Sequence, residues 1–540
     1  MSTRTSLLPR FPLIVLLVLL ILSFLPTLYG YLTCPPDRWF SGVVYNMHDT
    51  AQYLTWAREA GRSLFTDNKL TAEPTPAVFV NLHWWLPGRL AALVGMGFAP
   101  MYQLYRLVAV VLLVWVNYRF AAHLFADPAR RRFAFLLSLV GSGLGWIWVV
   151  LKYATGGRAP FFPLDIYTTP GNAFWVMVAS PHLTLAAALV AGMLLLALRA
   201  VERDRLGWAV GAGGLALFLG LGHVYDLVTV WAVLALFGLL RVLRDGRFWR
   251  TLLLLGVVVL LSAPAPLYWA WVSSHPAWSE ALAQYENLGV FTPDPLHLLV
   301  LLGLPFLLAA ATYRGWVPLR DQDDRWLLVK AWFVSVPLLV YLPLHFQIML
   351  LTGYTVPVAA LATRGLFDHV LPWLAARRER LARWMPAAFL LLAALTNVYL
   401  FGWRFVELSR HDYPFYLHRD EVAAMEWLER ETPPDEVVLS SFVVGHFLPG
   451  LTGDRAFLGN AVMTLDFNRK REMVTAFFGN GMTDVERAAL LRRYGVRYVF
   501  YGPAERALGE YDPASASFLE PAFHTGEVVI YAVKGLDNEE

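Results

Sequence analysis

The 540 residues include a single cysteine, Cys34. A lone thiol excludes an intrachain disulfide and any cysteine-built zinc cage. The Thr33 before it makes YLTC a poor lipoprotein cleavage box, so a lipid anchor at Cys34 is not expected. Charge is scarce as well: Asp, Glu, Lys and Arg together make up only 16% of the chain, and lysine is outnumbered by arginine 5 to 39. There is no G-x-S-x-G, P-loop or G-x-G-x-x-G, which argues against the common serine-hydrolase, nucleotide and dinucleotide sites. Internal repeats and low-complexity tracts are missing too. The 21 Trp, 34 Phe and 23 Tyr are far more than a solvated, disordered chain carries.

The charges present are unevenly spread. From Arg404 to the end there are 14 basic and 22 acidic side chains, a net of −8, while residues 1–403 hold 30 basic and 19 acidic, a net of +11. An apolar, basic front and a charged, acidic back predict an α-helical polytopic membrane domain over 1–403 followed by a soluble α/β domain over 404–540.

The first apolar run, Phe11 to Tyr29, is long enough to cross a hydrocarbon core of roughly 30 Å and has no A-x-A-like cleavage site after it, so it reads as a retained span. Ten more runs follow near 100–124, 133–151, 181–198, 206–222, 224–240, 251–272, 296–313, 326–346, 353–375 and 385–402, for about 11 transmembrane helices. The connections between them alternate in charge. One set holds Arg4 and Arg10, Arg130 to Arg132, and the arginine-rich loops near 199–205, 241–250, 314–330 and 377–383. The other set, with Arg38, Arg58, Arg62, Lys69, Arg89, Lys152 and Arg158, is sparser over a longer length. The positive-inside rule makes the first set cytoplasmic. An odd number of spans then places the N-terminus inside and the acidic domain outside a cell (inner or plasma) membrane. The basic surface is thus explained by topology. ARRRFAF has no stacking platform or groove-reading helix beside it, and no nucleic-acid partner is expected.

Titratable groups gather on the predicted outer side. The acids there are Asp37, Asp49, Glu59, Asp67, Glu73, Asp165, Asp226, Glu280, Glu286 and Asp294, and the histidines are His48, His83, His182, His223, His275, His297 and His345. The first outer loop, 31–98, contains YNMHDTAQYLTWAREAG, an amphipathic pattern suited to an interfacial helix. Asp49 falls where an N-cap would lie, so capping and catalysis are both open to it.

The arrangement resembles the GT-C superfamily of integral-membrane glycosyltransferases. The matching pieces are HDTAQYLTWAREA and FTDNKLTAEPTP, then NLHWWLPGRLAALVG and the span MYQLYRLVAVVLLV, with the many-span body and outward C-terminal domain following. The resemblance implies transfer of a hexosyl or pentosyl group, with inversion, from a polyprenyl-phosphate-linked donor to a lipid, glycan or protein acceptor. It makes Asp49 the general base or a metal-associated carboxylate, placed so that it could take the acceptor proton while the lipid tail stays in the membrane.

Other outer-side residues offer substrate contacts. His48, His83 and His345 are polar candidates, and Ser180-Pro181-His182 opens a helix whose free N–H groups suit a phosphate. Arg364, well inside the tenth run, could face a lipid phosphate or pair with Asp368 four residues on. In GHVYDL, His223 and Asp226 sit three apart at a tight turn, where they could hold a divalent metal cation or simply hydrogen-bond the turn. Two other readings of the whole chain stay open: an inactive GT-C-like scaffold or assembly protein, and a lipid or solute transporter.

In the tail, a helix in DEVAAMEWLERE, a strand after Pro433-Pro434, a short strand at RAFLG, helices over 466–478 and 484–494 and a strand VRYVFYG are expected. A final hairpin should turn at His524-Thr525-Gly526. Together these elements give a small α/β domain of four or five strands.

Overall fold

A computed structural model describes residues 9–157, 170–288, 291–314 and 318–535. Arg4, Arg158 and Asp165, and the side chains of Glu286 and Arg314, lie outside the described residues. The chain divides into two compact units. The first comprises Met1–Leu25, Gln103–Tyr268 and Val290–Phe405; the second comprises Pro26–Tyr102, Trp269–Gly289 and Val406–Glu540. Residues 26–102 thus group with 406–540, a division different from the one at residue 403 suggested by charge.

Every apolar run is largely helical, though several are broken or end early, and the chain is a multi-pass membrane protein. Arg10–Leu32, Phe98–Leu124, Pro181–Arg203, Asp226–Asp245, Phe248–Val272 and Glu379–Leu408 are each long and apolar enough to cross a bilayer. The bent pair Pro128–Val140 and Gly145–Ala154, at 50° to each other, would make a seventh. The expected count of eleven is therefore not reached by length and composition among the described residues. Leu206–Gly220, Pro295–Ala311 and Asp324–Leu339 fall short of full span length. The run over 353–375 is divided into Thr355–Arg364, a π-helical stretch Gly365–Val370 and Leu371–Ala375.

Breaks in membrane helices leave backbone groups that no water can satisfy, so other protein groups must do so. At the bend after Val140, Ser142 N–H and Oγ donate to the Ala393 carbonyl at 2.8 and 2.6 Å. Thr396 Oγ1 accepts from Trp146 N at 3.1 Å and donates to the Gly143 carbonyl at 3.0 Å. Asn397 Nδ2 donates to the Val140 carbonyl at 2.9 Å, and its Oδ1 accepts from Asn172 Nδ2 at 2.6 Å. A second break, at Gly303 (φ +66°), lies against this bend. A β-carbon there would come within 2.8 Å of Gly143 Cα, and the positive φ further restricts the position to glycine. Small residues also allow close helix packing: a β-carbon at Gly213 would meet Leu261 at 2.8 Å, and one at Gly220 would meet Ala265 at 2.6 Å.

In the second unit, β1 (Arg38–Phe40) pairs antiparallel with β2 (Tyr416–His418). β3 (Val437–Leu439), β4 (Arg455–Ala456), β5 (Val496–Tyr501), β6 (Leu519–Thr525) and β7 (Val528–Val533) form one sheet in the order β4-β3-β5-β7-β6. β3 runs parallel to β4 and β5, whereas β5-β7 and β7-β6 are antiparallel. The expected helices are present at Arg419–Glu431, Phe467–Phe478 and Asp484–Arg493. The hairpin turn is shorter than expected. Thr525 pairs with Val528, leaving Gly526-Glu527 as a two-residue loop with Gly526 at φ +51°, the backbone such loops favour. One helix was not anticipated, Phe442–Thr452, capped by Ser441 Oγ accepting from Val444 N–H and closed by Gly453 at φ +90°. The sheet core joins Leu439, Val496 and Val499 to Phe457, Phe477, Phe478 and Leu491, all buried.

Candidate functional site

The helix carrying Asp49 is Met47–Ala60. Its N-cap is Asn46, not Asp49: Asn46 has a left-handed backbone, φ 45°, and its side chain accepts from Asp49 N–H. Asp49 stands three residues further in, and its Oδ2 accepts from Asn46 Nδ2 at 2.6 Å. The carboxylate is therefore not the group that caps the helix. It is half-buried, and burial raises its pKa to about 6 despite the opposing hydrogen bond from Asn46.

This helix is anchored from several sides within the second unit. Arg58 donates to the Leu451 and Thr452 carbonyls at 3.0 and 3.1 Å and pairs with Glu429 at 2.7 Å. Lys69, in the same loop region, is buried and reaches the Gly453 carbonyl and Asp435, both at 2.9 Å. Gly450 packs so closely on Leu54 that a β-carbon could not fit between them without displacement.

These contacts bring His48 to His446, a residue that sequence reasoning did not select. His48 Nδ1 lies 2.6 Å from His446 Nε2, and the His48 ring stacks on Phe442 with centroids 5.5 Å apart. Asn460 Nδ2 donates to the His48 carbonyl at 2.9 Å. The Phe442 carbonyl can only accept, so His446 Nδ1 must be the donor in their hydrogen bond. Neutral His446 then accepts at Nε2 from His48 Nδ1–H, which leaves His48 Nε2 as an acceptor. Burial lowers the pKa of both rings, that of His446 to about 3, so the neutral forms required by this chain are favoured. The local signal for the missed residue was the cap at Ser441, an apolar run and the glycine at 453. His83 is buried on the adjoining helix Leu82–Leu93, where its backbone N–H bonds Asn81 Oδ1 at 3.1 Å.

The other expected residues belong to the first unit. His182, His223 and Asp226 are all buried. Ser180 caps the start of Pro181–Arg203 by position, but its Oγ lies 3.0 Å from His182 Nδ1 and makes no capping bond. The His182 and His223 rings are 5.1 Å apart. His223 Nδ1 is 2.9 Å from Tyr225 OH and 3.4 Å from Asp226 Oδ2. His345 is exposed and precedes Phe346, whose ring is 5.7 Å from Tyr225.

A metal at His223 and Asp226 would have these two side chains as its His and Asp ligands. Among the described residues no group of three or more His, Cys, Asp or Glu is arranged to hold an ion, and the two side chains contact each other directly. Arg364 also has local partners. Its Nε is 3.4 Å from Asp368 Oδ2, and its guanidinium lies 4.6 Å from the Trp326 ring centroid. Arg130, from a connection expected to be cytoplasmic, holds the other oxygen of Asp368 at 2.6 Å.

No family model matches the sequence, and no curated protein matches it. Solved structures do share its fold. The Archaeoglobus fulgidus oligosaccharyltransferase in its apo form superposes with a TM-score of 0.53 at 14% identity, over 95% of this chain and 73% of that one. The same enzyme tethered to an acceptor peptide containing the NVT sequon gives 0.50 at 12% identity, over 90% and 69%. ArnT from Cupriavidus metallidurans bound to undecaprenyl phosphate gives 0.50 at 16% identity, over 98% of each chain. At such identities the likeness is one of fold alone.

Proposed function

We propose that this protein is a membrane glycosyltransferase that moves a hexosyl or pentosyl group from a polyprenyl-phosphate carrier to a lipid, glycan or protein acceptor, with Asp49 as general base. In the proposed inverting step the acceptor oxygen attacks the anomeric carbon, its proton passes to Asp49, and the bond to the carrier phosphate breaks with the electron pair leaving on the phosphate. The reaction runs on the extracytoplasmic face of a cell membrane, with the N-terminus cytoplasmic. The shared fold supports the class of reaction.

The observation that carries the role of Asp49 is its carboxyl raised to about 6 by burial and released from helix capping by Asn46. Such a group is ionised at pH 7 yet more basic than an ordinary carboxylate, which suits proton abstraction near neutrality. His48, with Nε2 as acceptor, is proposed to receive a hydroxyl of the acceptor or sugar. His83, His182 and His345 are proposed as substrate-binding residues on sequence position alone, whereas Arg364 is held with Arg130 on Asp368. No step is routed through a metal.

Transfer from radiolabelled polyprenyl-phosphate hexose and pentose, measured in membranes holding the full-length protein, tests this reading. Asp49→Ala should lower transfer by about 10²- to 10⁴-fold. Equal transfer by both proteins would remove Asp49 from the mechanism. Failure of wild type with both donors would favour an inactive scaffold.

A further inference from the structure

A cavity of about 370 Å³ opens between the two consecutive membrane helices Asp226–Asp245 and Phe248–Ser262, remote in sequence from Asp49. Its walls are almost wholly apolar, with Leu234, Leu239 and Val242 on one helix and Leu252, Leu255 and Val259 on the other. That volume falls within the ordinary range for small-molecule sites. Gly256 opens directly onto it, since a β-carbon there would meet no atom within 4 Å. The helices therefore leave between them a groove that their own side chains do not fill.

The length of the groove is informative. It runs from Val242 and Phe248, beside the connecting turn, to Trp231 and Val259. Val242 and Trp231 are separated by about 16 Å of helix at roughly 1.5 Å per residue. This is half of a hydrocarbon core of about 30 Å, the depth of one leaflet. At the far end Trp231 Nε1 donates to Ser262 Oγ at 3.0 Å, tying the two helices together.

Charge at the near end gives the groove a polarity. Arg241, Arg244, Arg247 and Arg250 flank the turn. Arg241 engages Asp324 at 3.4 Å, Arg244 engages Asp245 and Asp324 at 2.6 and 2.5 Å, and Arg250 engages Asp204 at 2.5 Å. Arg247 is exposed, directly precedes the lining residue Phe248, and forms no salt bridge within 4 Å among the described residues, its charge reaching Asp245 only at longer range. Phe248 and Trp249 next to it are exposed aromatics of the kind that settle at a membrane interface. An apolar slot one leaflet deep, with the exposed guanidinium of Arg247 one residue from its lining, matches an acyl chain joined to an anionic headgroup.

We propose that this groove is a binding site for an anionic phospholipid of the leaflet on the side of the 246–247 turn, with one acyl chain between the helices and the headgroup phosphate at Arg247. A specific lipid there would complete the packing of two helices that the chain itself leaves apart.

Native mass spectrometry of the full-length protein, delipidated in detergent and titrated with phosphatidylglycerol or phosphatidylcholine of matched chains, tests the proposal. Wild type should retain one phosphatidylglycerol in preference to phosphatidylcholine. Gly256→Phe, which places a ring in the groove, should lose that lipid, and Arg247→Gln should weaken its binding about fivefold. Should Gly256→Phe fail to fold, brominated phosphatidylglycerol in nanodiscs supplies an independent readout. It should quench wild-type tryptophan fluorescence more than brominated phosphatidylcholine, and Trp231→Phe should remove the difference. Equal retention of the two lipids, or wild-type phosphatidylglycerol binding by folded Gly256→Phe, would show only unspecific boundary lipid and overturn the proposal.

Discussion

In the membrane bundle, Thr396 and Asn397 are buried and spend their side chains on the backbone of a broken helix, whereas in the second unit the buried cations Lys69 and Lys470 meet both carboxylates and oxygens donated by the loop backbone or a hydroxyl. The difference follows from the medium each unit folds in. Lipid offers apolar groups no gain on leaving it, so close packing and saturation of hydrogen bonds decide which bundle geometry holds. In the water-exposed unit, removal of apolar surface from water supplies the drive, and the ion pairs select the arrangement. Neutral amides and hydroxyls serve the first purpose at lower desolvation cost than charges would.

This contrast can be sharpened by substitution. The largest stability loss should come from Phe477→Ala, which empties a fully buried position in the sheet core; about 3 to 5 kcal/mol is expected, seen as a lowered melting temperature in detergent. An equally small loss there and in the bundle would break the distinction between the two units.

Next is the pH dependence of the second unit. Burial raises the Glu421 carboxyl to about 7, outweighing the hydrogen bonds it accepts from Tyr413 OH and His418 N–H at 2.6 and 2.9 Å. The folded form then holds a proton that the unfolded form, with an ordinary glutamate near 4.3, has released. Stability from this group is complete below about pH 4 and is lost as pH rises through 7, a span worth on the order of 3 kcal/mol. Thermal melts between pH 5 and 8 should fall with pH for wild type and flatten in Glu421→Gln. A wild-type melting temperature that rises over this window with no change of slope in the variant would contradict the assignment.

The smallest effect is expected in the bundle. Asn397→Leu removes two hydrogen bonds at the bend, but membrane hydrogen bonds average about 0.6 kcal/mol each, so roughly 1 kcal/mol should be lost. A loss several times larger would mean that the break depends on Asn397 far more than its neighbours suggest.

Much of this architecture is legible locally. Apolar runs announce helices, and caps such as Thr483 with Glu486 announce where soluble helices begin. The number of full spans is not legible in the same way. The run over 133–151 bends because Thr396 and Asn397, some 250 positions away, can satisfy the exposed backbone, and nothing within the run itself encodes those partners. Likewise Asp49 invites an N-cap reading, but the left-handed backbone at Asn46 moves the cap three residues earlier. His446 stayed hidden because its importance depends on His48, 398 residues distant, and on a helix whose start at Ser441 and stop at Gly453 were the only nearby clues. Arg364 offered lipid phosphate and Asp368 as alternatives, and the folded chain supplies Asp368.

In the proposed reaction the carboxylate of Asp49 accepts the proton released by the acceptor. The most direct test of this role is the pH profile of initial transfer rates from a polyprenyl-phosphate sugar, measured in membranes for wild type and Asp49→Asn at matched protein levels. The wild-type rate should climb as pH rises through about 6, where Asp49 loses its proton, and the Asn variant should be reduced at least a hundredfold with that rise abolished. An Asn variant that transfers at the wild-type rate, or that keeps the same rise near pH 6, would contradict the role.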